Sequence, residues 1–405
     1  MTTTVSYLKP ELGAWQLPDE LQMLRQTVAE FMAKDVKPAE DELDFDAYQL
    51  PADVLGRLQA KARKAGLWCV KSPAEYGGTG LTILAQCVVA EEAAKCRMGA
   101  YVPACGAFGW DPPGLIFEGT QEQIQRWAVP SIETGSPVFV AITEPSGGSD
   151  PAHTMQTKAR LVGDKWVING TKIFITRSLE AEWGIVFART DPDEGAAGIS
   201  AFIVETNSPG LTRRPIPVIR AWSPGEVHFE DVEVPAENLL GGRGRAFELS
   251  RPHTIPGRVP YTLAGVGIAQ AALGMAIEHA NNRQTTGGLL ASKQAIQMMI
   301  ADSEIELRAA RLLCYEAAWK ADLGLDCKTE AAIAKVYATE TASRVVDRSI
   351  QILGGLGLCK EMPTERWYRE LRVRRIGEGP NELHRLQVAS AMLSGAAAVD
   401  GLGRP

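Results

Sequence analysis

The feature that most constrains this chain is a change of hydrophobic period, twice, along its length. Up to about residue 136 the apolar residues keep helical spacing. "ELQMLRQTVAEFMAKDV" puts Leu21, Leu24, Val28 and Phe31 on one face, and "LTILAQCVVAEEAAKC" repeats the pattern after the glycine-rich break "SPAEYGGTGL". From about 137 to 246 the runs become short and β-like: "SPVFVAIT", "TMQTKARLVG", "KWVINGTKIFIT", "WGIVFART", "ISAFIVET" and "GEVHFEDVEV". Asn169-Gly170 falls between two such runs, which predicts a tight hairpin turn there. From about 247 the helical period returns in long alanine-rich stretches. The expectation is an α+β chain in three parts: an N-terminal helical domain (1–136), a central antiparallel β domain (137–246) and a C-terminal helical bundle (247–405).

Composition narrows the function classes. The net charge of -7 lacks the basic excess of a nucleic-acid binder, although a local basic patch for a phosphorylated ligand remains compatible with it. No apolar run is expected to approach membrane-spanning length, so no membrane insertion is expected. The opening "MTTTVSYLKPELG" has no basic segment followed by an apolar run, so no secretory signal is expected. The 7 cysteines are scattered and never form a CxxC pair, which suits reduced thiols and a cytoplasmic location. The 5 histidines lack metal-ligand spacing, so metal catalysis is not expected.

Three stretches carry candidate chemistry. "GVGIAQ" (265–270) lacks the third glycine of a dinucleotide fingerprint and lies inside a helical pattern, so its glycines read as close helix packing. "AITEPSGGSD" (141–150) ends a β run and offers Thr143, Ser146 and Ser149 beside two glycines, while "KIFIT" adds Phe174 and Thr176. A flat ring beside hydroxyls suits a planar cofactor such as a flavin; equally, Phe174 reads as core. "RRIGEGPNELHR" (374–385) sets Glu378 between two glycines, just before Pro380 and a helix. That is either a solvated loop acid or a carboxylate aimed by its backbone.

The chain resembles the acyl-CoA dehydrogenase family along nearly its whole length. "PAEYGGTGL", "AITEPSGGSD", "VPAENLLG", "RQTTGGLLASKQAIQ", "QILGGLGLCKEMPTERWYRE" and "IGEGPNELHR" are similar to six family signatures in the family's order. The resemblance implies a C-terminal four-helix bundle, bound FAD, an acyl-CoA substrate drawn from fatty acid metabolism, a homotetramer and electron-transferring flavoprotein as acceptor. It implies that Thr143, Ser149, Phe174 and Thr176 surround the isoalloxazine. Arg283 would reach the diphosphate of FAD in a neighbouring subunit, and Gln351 and Gly355 would hold the adenine end. Glu378 would be the base that takes the substrate α-proton while hydride leaves the β-carbon for the flavin. Its backbone amide would hold the thioester oxygen. Gly377 and Gly379 are expected to supply unusual dihedrals there, with Pro380 first in the following helix and Glu382 in its first turn.

Departures from the family pattern bear on the substrate. Gly377 stands where relatives commonly keep a tyrosine, Pro380 where they keep a threonine, Thr286 where they keep a phenylalanine, and His153 where they keep a small residue. Loss of rings beside the thioester predicts an opened volume and a bulkier or branched acyl group. Some relatives carry the base just before an arginine like Arg258; Gly257 occupies that place, which leaves Glu378 as base and Arg258 as a supporting residue. Rival readings on the same fold are an enoyl-CoA reductase, a partner subunit of a mixed tetramer, an acyl-CoA oxidase and a flavin monooxygenase.

Overall fold

The computed structural model describes residues 17–396; the opening stretch read for a leader, and both chain ends, lie outside the described residues. Among helices of ten residues or more, three precede the sheet: α1 (Asp19–Phe31), α2 (Ala52–Lys64) and α3 (Ile83–Ala93). Their apolar stripes meet around Val28, Val36, Leu58, Ala62 and Val89. Asp322, from the far half of the chain, accepts from Ile83 N at 2.6 Å and Leu84 N at 3.0 Å and so caps α3.

Eight strands follow: β1 (Phe139–Ala141), β2 (Lys158–Val162), β3 (Lys165–Ile175), β4 (Trp183–Arg189), β5 (Ile199–Glu205), β6 (Leu211–Pro215), β7 (Gly225–Pro235) and β8 (Leu239–Leu240). They form one sheet in the order β6-β7-β3-β2-β4-β5-β8, with β1 on β4. The sheet is mixed, since β1 runs parallel to β4 and β2 meets β4 in parallel at Lys158–Arg189; the remaining pairs are antiparallel. β4 and β5 are buried on six of seven residues each, because apolar clusters cover both faces.

The expected Asn169-Gly170 turn is absent. β3 runs through it as a bulge, with Gly170 at φ +149° and Thr157 packed where a Cβ would stand. The hairpin instead turns at Gly163-Asp164, where Gly163 has φ +63°.

Among the described residues, five helices of ten residues or more follow the sheet: α4 (Ala246–Asn282), α5 (Gln294–Asp322), α6 (Lys328–Leu353), α7 (Pro363–Arg374) and α8 (Asn381–Leu393). α4 extends through Pro252, Pro256 and Pro260. Spaced by four, the three rings share one helix face, and each lacks the N–H that would donate to a carbonyl of the preceding turn. Contrary to the sequence expectation, α4 is long and apolar enough to cross a membrane. However, 67% of its most apolar window is buried inside the protein, as in a core helix. Gly267 explains part of that burial: a Cβ there would lie 2.0 Å from the Glu91 carbonyl, so α3 and α4 touch backbone to backbone. The close-packing reading of "GVGIAQ" agrees with this contact.

Candidate active site

Glu378 lies in the six-residue link between α7 and α8, and it is itself the strained residue. Its φ is +57°, in the left-handed region, and Gly379 follows at +88°. Gly377 does not share that conformation; its smallness answers a different need, described below. A side chain in the left-handed region costs roughly 1–2 kcal/mol, so the link must be held from outside. His384 Nε2 lies 3.0 Å from the Glu378 carbonyl, and Lys335 Nζ lies 2.5 Å from the Gly379 carbonyl. Burial holds His384 below its ordinary pKa, which leaves a neutral ring donating through Nε2–H. Pro380 is the N-cap of α8, one place outside the helix, and Glu382 lies in the first turn. The Glu378 carboxylate is exposed, and among the described residues nothing accepts from its backbone amide.

Two residues of α4 face this link. Burial lowers the Arg258 pKa against the pull of Glu378, and Arg258 Nε lacks a protein partner. Tyr261 sits one turn on. Burial, opposed by Arg374, pushes its hydroxyl up to about 12, so the phenol is neutral at physiological pH. The Arg374 guanidinium lies 4.2 Å from its ring centroid. A Cβ on Gly377 would come within 2.8 Å of the Tyr261 oxygen. The volume expected to open at Gly377 is therefore filled by a ring from α4, and the expectation of a bulkier acyl group loses the part of its basis that rested on Gly377.

The sheet presents a second set. Phe174 has φ +59° and is 55% exposed, a strained backbone carrying an open aromatic face. Thr176 beside it is exposed, as is Ser149, while Thr143 is half-buried. Ile173 N donates to the Thr143 carbonyl at 2.9 Å, which ties the 143–150 loop to β3. Below the loop, Lys172 Nζ meets Glu144 Oε1 at 2.7 Å, with both side chains buried. An outward ring flanked by hydroxyls fits a planar, hydrogen-bonding ring system. Thr176 also lies beside Tyr101, whose neighbour Arg220 acts on Tyr261, so the sheet set adjoins the Glu378 wall.

Arg283, Gln351 and Gly355 are not part of this cluster. All three are exposed at the end of the bundle where Ala276, Ala280 and Ile352 pack together. Arg283, the C-cap of α4, lies 25 residue steps beyond Arg258, a span of about 38 Å. His153, another departure from the family pattern, is exposed and pairs with Asp150 at 2.9 Å.

Sequence reasoning missed Tyr261, Lys335, His384 and the Glu144–Lys172 pair. Glu144 and Lys172 lay inside quoted motifs, but hydroxyls and rings drew the reading there. Elsewhere, Glu40, Cys96 and Cys105 gather ligand atoms within 4.8 Å of one another. That cluster is closed by its own bonds, with Arg97 N donating to Glu40 Oε2 at 2.6 Å.

Three family models match in chain order: "Acyl-CoA dehydrogenase, N-terminal domain" over residues 18–134, "middle domain" over 140–232 and "C-terminal domain" over 253–393. The short-chain specific acyl-CoA dehydrogenase of Mus musculus is 38% identical over 382 residues, covering 93% of this chain and 91% of its own. Butyryl-CoA dehydrogenase from Megasphaera elsdenii is 32% identical, with a TM-score of 0.82 over 94% of this chain and 100% of its own. A chain solved in a study of the electron transferring flavoprotein of Acidaminococcus fermentans is 34% identical, with a TM-score of 0.84 over 94% and 100%.

Proposed function

The chain belongs to the acyl-CoA dehydrogenase family, oxidoreductases acting on acyl-CoA, and from that premise we propose that it removes two hydrogens from the Cα–Cβ bond of an acyl-CoA thioester with Glu378 as base. One observation carries the proposal: a carboxylate on a left-handed peptide, clamped at both adjoining carbonyls, with its own amide unspent. The α-proton of a thioester is weakly acidic, so the base must be aimed and the thioester oxygen polarised. The Glu378 carboxylate takes the proton, and its N–H donates to the oxygen where negative charge develops. Arg258 adds a positive charge facing the link that carries the base. FAD, when held against Phe174 by Thr143, Ser149 and Thr176, supplies the acceptor for the β-hydrogen as hydride.

Arg283, Gln351 and Gly355 lie too far along the bundle to serve the same flavin, and in this reading they hold the cofactor of a second copy. An outward stripe on α5 supports assembly. Met298, Ile305, Leu312 and Trp319 recur every seven residues and are 64%, 66%, 39% and 53% exposed. The assembled form is a homotetramer, and electron-transferring flavoprotein takes the electrons onward.

The test is to purify the protein and titrate it anaerobically with acyl-CoAs. It should be yellow, release FAD on denaturation, bleach with substrate and have the mass of four chains by light scattering. A colourless protein that cannot be reconstituted with FAD would instead favour a partner subunit in a mixed tetramer.

Tyr261 sets the acyl group in this reading. With the wall closed, unbranched acyl-CoAs should have higher kcat/KM than branched or ring-bearing ones. Tyr261→Ala should narrow or reverse that ratio by roughly 10-fold or more, the scale of a few methylenes in an apolar pocket. If the ratio is the same in both proteins, Tyr261 does not line the acyl site.

A further inference from the structure

We infer that Lys335, with His384, is a positioning residue for Glu378: the two hold the left-handed peptide by its two adjoining carbonyls and so fix where its carboxylate and amide point. Lys335 lies two turns into an alanine-rich helix, where a lysine ordinarily reads as a solvated face, yet it is 0% exposed. Its Nζ donates to the Gly379 carbonyl at 2.5 Å and to Asn381 Oδ1 at 2.7 Å. Asn381 in turn donates through Nδ2 to Thr339 Oγ1 and Glu340 Oε1, each at 3.1 Å, so the first turn of α8 is bolted onto α6. His384, 1% exposed, reaches the Glu378 carbonyl from within α8, and its Nδ1 faces the Gln387 amide at 3.1 Å.

Both carbonyls of the strained turn thus have a buried donor. A buried lysine is an expensive way to satisfy a carbonyl. Burial and Arg258 together pull Lys335 down to about 8. The arrangement has a physical rationale if the charge also fixes the turn's direction. Two carbonyls anchored on one side leave the Glu378 amide and carboxylate free on the other. The backbone preference of a glutamate opposes this geometry, so without the clamp the turn should relax to an unstrained conformation and carry the carboxylate away from the substrate.

The inference rests on Glu378 being the base, and it is tested so that the two can fail separately. The parent and Glu378→Gln first establish whether Glu378 drives bleaching. Lys335→Met is then compared with the parent at saturating acyl-CoA. Its limiting rate of flavin bleaching should fall roughly 10- to 100-fold, the scale expected for about 1 Å of misplacement, with half-saturation and FAD per chain nearly unchanged. A limiting rate within about twofold of the parent overturns the inference. A stability cycle adds a readout independent of activity. Glu378→Gly removes the left-handed strain, so Lys335→Met should cost more melting temperature in that background than in the parent, where relaxation of the strained turn returns part of the lost contact. An equal cost in both means that Lys335 only fills a space. If Lys335→Met does not fold, His384→Leu asks the same question at the other carbonyl. It should show the same loss of limiting rate, and His384→Gln, which keeps a donor, should restore most of it. Equal rates for His384→Leu and the parent overturn the inference.

Discussion

Glu378→Gln should leave the protein folded and yellow but unable to bleach when acyl-CoA is added. The substitution is isosteric and keeps the backbone amide, so thioester binding and oxygen polarisation survive. It also leaves the Lys335 and His384 contacts in place, because both are to main-chain carbonyls. What is lost is the group that accepts the proton. Removing a general base typically costs about 100- to 10,000-fold in rate. The measurement is stopped-flow flavin absorbance under anaerobic, saturating acyl-CoA, beside FAD content and a melting curve. Near-parent bleaching would mean that another residue takes the proton. The other place where relatives carry the base offers no rescue, since Gly257 stands before Arg258. A mutant that loses FAD would be uninformative about proton transfer in another protein, but here the proposed flavin contacts lie on the sheet and at the far end of the bundle. Flavin loss would therefore argue against the proposed arrangement itself.

The parts of this site that could be read in the sequence are those whose logic is local. Glycines and a proline around Glu378 announce an unusual turn, and the ordered signatures identify the chain's relatives. Long-range contacts are different. Tyr261 on α4 and Gly377 in the link before α8 are far apart in sequence, and only their proximity shows that the ring of one fills the space beside the other. Lys335 drew no reading because helical periodicity does not say which face a lone lysine will bury. The Asn169-Gly170 dipeptide is a good turn former, but β3 pairs with β7 on both sides of it, and the sheet made it a bulge. Likewise three prolines would ordinarily end a helix. Their spacing of four confines the lost donors to one face, and α4 is held by a largely buried run from Val259 to Leu273.

Lys172→Met should produce the largest loss of stability, and with it loss of FAD. Lys172 is 0% exposed and Glu144 3%. The lysine also donates to the Ile142 carbonyl at 3.0 Å, while Glu144 accepts from Gln156 N at 2.5 Å and Thr157 N at 2.9 Å. The pair therefore pins both ends of the loop that carries Thr143 and Ser149. Burial works against the Glu144 charge, but Lys172 and these hydrogen bonds outweigh it and lower its pKa. Glu144 thus contributes stability above the ordinary value of 4.5 and loses it as pH falls through the lowered value. Removing the lysine leaves a buried carboxylate without its partner, at a cost of about 3–5 kcal/mol. Adding Glu144→Gln should recover part of that cost, because it removes the buried charge while its amide oxygen still accepts from one of the two backbone donors. Denaturant unfolding and FAD per chain measure both effects. If Lys172→Met unfolds like the parent and keeps its flavin, the loop is anchored by its backbone contacts alone. If the double variant is no more stable than the single one, the uncompensated charge is not what destabilises it.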